Sequence, residues 1–114
     1  MRCIVSSVEE FIECLSLPDE TVFQNAIHLS ITQNPVGNKP HEAMKFDVYA
    51  TVSAVVRCSD GSEYILEFGK KCGVDYTDGS GAANGTTEAS KIKTAIKEYA
   101  GQRGLLVLPG LLDY

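Results

Sequence analysis

The sequence predicts an α+β domain in which two helices pack on one face of an antiparallel sheet. Apolar residues recur at every second position in a long central segment, and at helical spacing towards both ends of the chain. Turn-forming residues separate these segments. Two helical stripes and one apolar sheet face are buried together most simply in a two-layer sandwich. At 114 residues the chain has the size of one domain, which we assign to residues 1–114.

The first helix is predicted to begin after a pair of serines. Ser6 or Ser7 can open a capping box, because Glu9 and Glu10 follow three residues later. Pro18 cannot continue a helix, so the helix ends before it. Its apolar stripe has the spacing i, i+3, i+4 and i+7: Val8, Phe11, Ile12 and Leu15.

Two strands are predicted next. The alternation from Phe23 to Thr32 indicates the first, and the turn formers at 33–40 indicate a loop after it. The clearest pattern of the sequence runs from Met44 to Cys58, where every second residue is apolar. A helix would scatter these residues around its circumference, so this segment is predicted to be a long strand with one buried face.

The turn at Ser59-Asp60-Gly61 sets the register of the third strand. A two-residue turn would place Glu67 on the buried face, opposite Ala54. A three-residue loop with left-handed Gly61 forms a G1 bulge and buries Leu66 and Phe68 instead. We therefore predict the longer loop and the cross-strand pairs that follow from it: Val52–Phe68, Ala54–Leu66, Val55–Ile65, Val56–Tyr64 and Arg57–Glu63.

Residues Lys70 to Thr86 show no periodicity, and this is a long connection for a compact domain. Its glycine-rich end precedes a helix, where backbone N–H groups can bind a phosphate or carboxylate. The spacing matches neither a P-loop nor a dinucleotide fingerprint, and a mobile loop with a capped helix is the alternative interpretation. As an anion or nucleotide binder, or as a small enzyme, the protein would use loop 70–87. The candidate ligand residues are Gly79, Ser80, Gly81, Gly85, Thr86 and Thr87.

The second helix is predicted to open at Thr86 or Thr87 and to end at Gly101 or Gly104. Its apolar stripe contains four residues: Ala89, Ile92, Ile96 and Tyr99. The segment that follows indicates a short strand, a Pro109-Gly110 turn and an apolar end. The predicted order is therefore α-β-β-β-α, with or without a final strand, which gives an antiparallel sheet of three or four strands.

Charge and cysteine usage disfavour several classes of function. A net charge of −5 disfavours binding to nucleic acid phosphates. The four cysteines form no CxxC pair, and neither histidine lies at metal-ligand spacing, so we predict no metal and no cofactor. Cys72, beside Lys70 and Lys71, is the thiol whose neighbours could lower its pKa. No histidine at a recognisable spacing supports it as a nucleophile. We therefore name no catalytic residue and favour a non-enzymatic role.

The start of the chain has no long apolar segment, and no stretch approaches the length of about 20 apolar residues that a bilayer requires. We therefore expect a cytoplasmic protein with reduced, mostly buried thiols and no membrane partner.

The second face of the sheet is the strongest candidate for a functional surface. Two helices can cover only one face, yet apolar residues are predicted on the other face and in the C-terminal tail. We therefore expect a homo-oligomer, foremost a dimer, that engages a protein or small-molecule ligand. The alternative is that the tail completes the core of its own monomer. The candidate interface residues are Tyr49, Val55, Ile65, Leu106, Leu108, Leu111, Leu112 and Tyr114.

The order α-β-β-β-α resembles that of double-stranded RNA-binding domains. Lys39-Pro40-His41 ahead of Phe46 is similar to the Gly-Pro-x-His loop of that family, and Lys91 and Lys93 lie where the family has a lysine cluster. Here the glycine is absent, the histidine lies one residue further from the aromatic residue, and the connection after the third strand is longer. The resemblance implies that His41, Lys91 and Lys93 would contact phosphates and 2′-hydroxyls of duplex RNA.

Overall fold

The computed structural model describes residues 2–17, 20–22, 26–36, 45–76 and 84–109. These residues form six strands and two helices. In chain order the elements are β1 (Arg2–Val5), α1 (Val8–Leu15), β2 (Glu20–Val22), β3 (Ala26–Val36), β4 (Lys45–Cys58), β5 (Glu63–Tyr76), α2 (Asn84–Arg103) and β6 (Leu106–Leu108).

The sheet is mixed, with the strand order β1-β5-β4-β3-β6. Its centre is antiparallel, since β4 pairs with β3 on one side and with β5 on the other. Its two outer strands are parallel to their neighbours, β1 to β5 and β6 to β3. The strand β2 pairs with β4 beside β3, so six strands occupy five positions.

The predicted α+β class is confirmed, but the predicted antiparallel sheet of three or four strands is corrected to a mixed sheet. The short final strand that was predicted is present as β6, whereas β1 and β2, of four and three residues, were not predicted. Such segments are too short to show a period of two in the sequence. They join the sheet by pairing with long strands that are distant in the chain, and this cannot be recognised from local pattern.

The predicted register of β4 and β5 is confirmed at every pair that was named. Ala54 pairs with Leu66, Val55 with Ile65, and the other three predicted pairs are also present. The loop has three residues: Cys58 N–H donates to Ser62 O at 2.8 Å and Gly61 N–H donates to Cys58 O at 3.0 Å. Gly61 has a φ of 88°, the left-handed conformation that the G1 bulge requires.

Two predicted loops prove to be partly strand. The strand β3 continues through Val36, although 33–40 was predicted to be a loop. The strand β6 pairs with β3 only from Ala26 to His28, so no described strand lies beside Pro35 on that edge. Proline, which has no backbone N–H to donate, is tolerated on such an unpaired edge. The predicted residues Phe23, Gln24 and Asn25 lie outside the described part of the chain.

The strand β5 likewise continues to Tyr76, although 70–86 was predicted to be without structure. Tyr49 pairs with Lys71 and Val48 pairs with Gly73, so Cys72 is the extra residue of a β-bulge. The bulge places two successive residues against one residue of β4. It thereby interrupts the alternation from which a strand is recognised.

The helix α1 begins at the predicted serines. Ser7 is the N-cap, and its hydroxyl accepts the N–H of Glu10 at 3.1 Å. The Glu10 carboxylate accepts the backbone N–H of Ser6 at 3.1 Å and its hydroxyl at 2.8 Å. These two hydrogen bonds lower the pKa of Glu10. Both serines therefore take part in the start of the helix.

The helix α2 begins at Asn84, two residues before the earlier predicted start, and ends at Arg103. Gly104 has a φ of 70°, and Leu105 N–H donates to Ala100 O at 2.8 Å. This is the hydrogen bond of a Schellman motif, which turns the chain from α2 into β6. The predicted apolar stripe of α2 is buried, with Ile96 completely inaccessible.

The core lies between the helices and one face of the sheet. The residues of β4 that face the helices are inaccessible to solvent: Val48, Ala50, Val52, Ala54 and Val56. Phe11 of α1 and Leu66 of β5 are also inaccessible, and all these residues belong to one cluster. This arrangement is the predicted two-layer sandwich, and it leaves the opposite face of the sheet as the candidate functional surface.

Candidate functional site

The open face is defined here as the side chains of the sheet that point away from α1 and α2. Successive residues of a strand point to opposite faces, so the buried residues of β4 assign every alternate residue to the open face. No described helix or strand lies over these side chains. On the three long strands they include Tyr49, Thr51, Ser53, Val55, Ile65, Glu67, Lys71, His28 and Thr32.

Two adjacent rows cross the open face from β1 to β6. The pairing registers place one row through Ile4, Glu67, Ser53, His28 and Leu108. The second row lies two residues along the strands and runs through Arg2, Ile65 and Val55, and on the far side of the sheet Ala26 pairs with Leu106. Apolar side chains therefore lie at both outer strands and at the centre, within two rows of one another.

The outer ends of these rows are the most exposed apolar positions of the open face. Ile4 is 76% exposed, Leu106 is 62% exposed and Leu108 is 39% exposed. Ser53 and Ala26, between them, are small and only 6% and 5% exposed. The open face therefore has exposed apolar side chains at its two edges and small, buried side chains at its centre. Leu106 and Leu108 are adjacent on one side of β6, and adjacent exposed apolar residues can mark a protein interaction surface.

The charges of the open face are arranged in cross-strand pairs. Arg2 Nη1 lies 3.5 Å from Glu67 Oε1, Arg57 Nη2 lies 3.0 Å from Glu63 Oε1, and Lys71 Nζ lies 3.4 Å from Asp47 Oδ1. These three cations and three carboxylates cancel, whereas the whole chain has a net charge of −5. Among the side chains that the structure describes, these ion pairs of the open face are thus balanced in charge, on an acidic protein.

His28 lies near the centre of the open face, between Ser53 of β4 and Leu108 of β6. Its Nδ1 lies 2.8 Å from the carbonyl oxygen of Pro109, so Nδ1–H donates this hydrogen bond. The bond ties the end of β6 to β3 and fixes the imidazole ring on the face. Among the described residues, the other ring nitrogen, Nε2, makes no hydrogen bond.

The predicted interface residues fall on this surface wherever the structure describes them. Tyr49, Val55 and Ile65 lie on the open face, half-buried, and Leu106 and Leu108 extend it through β6. Leu111, Leu112 and Tyr114 lie outside the described residues. Arg2 and Ile4 were missed because β1 was not predicted. The only sequence signal for that strand is the short run of Cys3, Ile4 and Val5.

The predicted ligand loop divides into three parts. Gly79, Ser80 and Gly81 lie outside the described residues. Gly85 is buried in the first turn of α2, where an added Cβ would lie 2.7 Å from Val48 Cγ2 and 3.0 Å from the carbonyl carbon of Gly73. Thr86 and Thr87 are exposed. The close packing at Gly85 explains that glycine without a ligand, and the anion-binding hypothesis stays a prediction.

A groove of about 380 Å³ lies between the start of α1, β5 and α2. Lys70 and Lys91 line it together with Glu9 and Glu88, and Lys91 Nζ lies 3.1 Å from Glu88 Oε1. Lys91 and Lys93 are exposed, while His41 lies outside the described residues. The groove is balanced in charge, and it does not form the basic surface that duplex RNA requires.

The thiols are less buried than the sequence suggested. Of the four, Cys72 is buried, Cys14 and Cys58 are half-buried, and Cys3 is exposed. Burial raises the pKa of Cys72, and this outweighs the lowering by nearby Lys70. The proposed activation of Cys72 by its lysines is therefore corrected. The described residues contain no group of three or more metal-ligating side chains.

Fold and surface together describe an α+β sandwich with one face filled by helices and one face available for contact. Neither described helix has the length and apolar character needed to span a membrane. Comparison of the chain with protein-family models, with curated protein sequences and with solved structures gives no match. The function must therefore be inferred from the surface itself.

Proposed function

We propose that this protein is a small interaction domain that self-associates as a dimer through its open face, and that its role is binding and assembly. The observation that carries the proposal is the apolar belt that runs from β1 to β6 through Ile4, Ile65, Val55, Leu106 and Leu108. Burial of such side chains is the main favourable contribution to protein association.

The distribution of charge favours a second copy of the chain as the partner that binds the open face. An acidic protein repels its own copies, but the ion pairs described on the open face balance three cations with three carboxylates. Two copies can therefore meet there with little net repulsion. A strongly basic partner or a nucleic acid would find no excess of opposite charge on this face.

The size of the open face also fits a dimer. A strand residue covers about 16 Å² of a sheet, from about 3.4 Å along the strand and about 4.8 Å between strands. The six strands together therefore present roughly 800 Å². Stable protein interfaces bury about 800 Å² on each partner.

Sedimentation velocity over a wide range of protein concentration tests the proposal. We expect a monomer–dimer equilibrium that Ile4→Glu and Leu106→Glu each shift towards monomer, because each variant buries an unpaired carboxylate in the contact. Leu17→Glu is the matched control: Leu17 is 49% exposed but follows α1, away from the open face. The control should associate like the unmodified protein.

Each variant must keep the far-ultraviolet circular dichroism and thermal unfolding of a folded domain, since a misfolded monomer would also fail to associate. A wild-type chain that stays monomeric at the highest soluble concentration would refute the proposal. Equal weakening by Leu17→Glu and Leu106→Glu would place the contact elsewhere.

A further inference from the structure

The strand β3 has a backbone edge that is only partly covered. It contains 11 residues, and β6 pairs with it only from Ala26 to His28. On the side away from β4, no other strand among the described residues pairs with residues 29–34, whose outer backbone is defined here as the β3 edge. Alternate residues of an antiparallel strand direct their N–H and C=O groups to opposite sides. About half of these groups therefore face outward along the β3 edge.

An apolar side chain is exposed beside this backbone edge. Leu29 and Ile31 pair with Val52 and Ala50, which are inaccessible residues of the core, so all four side chains point towards the helices. Leu29 is half-buried and packs against the core, whereas Ile31 is 40% exposed. The β3 edge therefore offers an apolar contact on the side of the sheet opposite to the open face.

The helix α2 directs two lysines towards the same side. Ala95 of α2 lines the groove with α1 and β5. Lys93 and Lys97 each lie two residues from Ala95, which is about 200° around a helix with 3.6 residues per turn. Because the apolar stripe of α2 faces the sheet, both lysines lie on the flank opposite to α1. In the strand order, that flank is the side of β3 and β6, which α2 also contacts.

The charge on this flank of α2 is not balanced, in contrast to the flank beside α1. In the groove, Lys91 Nζ lies 3.1 Å from Glu88 Oε1. Neither Lys93 nor Lys97 makes an ion pair or a hydrogen bond with a described residue. The helix-facing side chains of the β3 edge carry no charge. On a chain with a net charge of −5, the β3 edge is therefore a locally positive site.

We infer that the β3 edge binds an extended acidic segment of a partner protein, which joins the sheet as an additional strand. The outward N–H and C=O groups of residues 29–34 hydrogen-bond with the backbone of this segment. Ile31 packs against one of its apolar side chains, and its carboxylates face Lys93 and Lys97. Complementary charge selects an acidic partner. The inference does not depend on the proposed self-association, because the open face lies on the other side of the sheet.

A synthetic peptide of about eight residues, long enough to span residues 29–34, is the probe. It has threonine at every second position, with glutamate and isoleucine in turn between them, so that it favours an extended strand. Fluorescence anisotropy of the labelled probe should show saturable binding that weakens as the salt concentration rises. Lysine in place of the glutamates reverses the charge, and proline in place of two central threonines removes N–H groups, so either change should abolish binding.

Two double variants test the lysines at equal net charge. Lys93→Gln/Lys97→Gln should weaken binding of the probe about five- to ten-fold. Lys70→Gln/Lys91→Gln removes two charges from the groove on the other flank of α2 and should leave binding within about two-fold. Ile31→Ser removes the apolar contact and should also weaken binding several-fold. Circular dichroism and thermal unfolding must show that each variant is folded.

Hydrogen exchange of the full chain locates the contact. In the protein without the probe, the outward amides of residues 29–34 should exchange fast, because no described strand pairs with them. The probe should slow their exchange and leave the amides of β1, at the opposite edge of the sheet, unchanged.

Several results would overturn the inference. The first is no binding at millimolar concentrations of the probe, and the second is equal weakening by the two double variants. Slow exchange of all amides at 29–34 without the probe would mean that another part of the chain, or a second copy, already occupies the β3 edge. Tighter binding of duplex RNA than of the probe at these residues would assign a nucleic acid instead of an acidic segment. Each of these results leaves the proposed dimer to its own test.

Discussion

Val55 and Val56 are neighbours in β4, but they lie in opposite environments. Val56 faces the helices and is inaccessible to solvent, whereas Val55 lies half-buried on the open face. From Val48 to Val56, the helix-facing side of β4 consists of small and medium apolar residues that pack in one cluster. The open face combines apolar residues with charges that are already paired. One face therefore forms the folding core, and the other is the face that we propose for contact with a second copy.

The largest expected effect on stability is at Leu66 of β5, which is compared here with its neighbour Ile65 on the opposite face. Leu66 is inaccessible in the core, so Leu66→Ala should lower the free energy of unfolding by about 2–5 kcal/mol. Ile65 lies half-buried on the open face, and Ile65→Ala should cost about 1 kcal/mol or less at concentrations where the protein is monomeric. Urea unfolding of both variants at low concentration measures the difference. Equal losses would show that the open face is part of the folding core.

A second comparison uses two glycines of α2. Gly85→Ala places a methyl group 2.7 Å from Val48 Cγ2, so we expect a loss of about 1–3 kcal/mol in stability. Gly101→Ala meets no atom within 4 Å in the same helix and should stabilise by about 0.5–1 kcal/mol. Thermal unfolding measures both. A neutral Gly85→Ala variant would mean that α2 does not pack against β4 as closely as described.

The smallest effect compares a buried thiol with an exposed one. Timed alkylation followed by mass spectrometry should modify Cys3 early and Cys72 only late, because Cys72 is buried and its pKa is raised. The raised pKa also makes the free energy of unfolding depend on pH. Above about pH 8.5 the thiol loses its proton more readily in the unfolded chain than in the folded one, so stability falls as the pH rises. Cys72→Ala should reduce that fall. Identical alkylation rates for Cys3 and Cys72 would contradict the burial.

Much of the centre of the fold could be predicted because it is built from local pattern. The alternation from Met44 to Cys58 identified the face of β4 that is buried, and burial of Leu66 and Phe68 then determined the hairpin loop and the register. The capping residues of α1 and the apolar stripe of α2 were likewise readable from spacing alone. Each of these features depends on residues that are near one another in the chain.

The edges of the sheet could not be predicted in the same way. The tail was predicted to contain a short strand, which is β6, but β1 was not predicted, and neither was the parallel pairing of these two strands with strands far away in the chain. The second half of β5 was not predicted because the bulge at Cys72 interrupts its alternation. The second half of β3 was not predicted because Pro35 and its neighbours are typical turn residues. For the candidate site, Val55, Ile65 and Glu67 were placed on one face by the hairpin register, but Arg2 and Ile4 joined that surface only when β1 was placed.

The sequence by itself therefore determined the class of fold, the central hairpin and the existence of a second apolar face, because period and turn chemistry act over a few residues. Only the tertiary structure decided that Ile4 and Leu108 end the same row and that His28 pairs with Ser53. Pairing between distant strands sets these positions, and it depends on which edges remain available after the centre has formed.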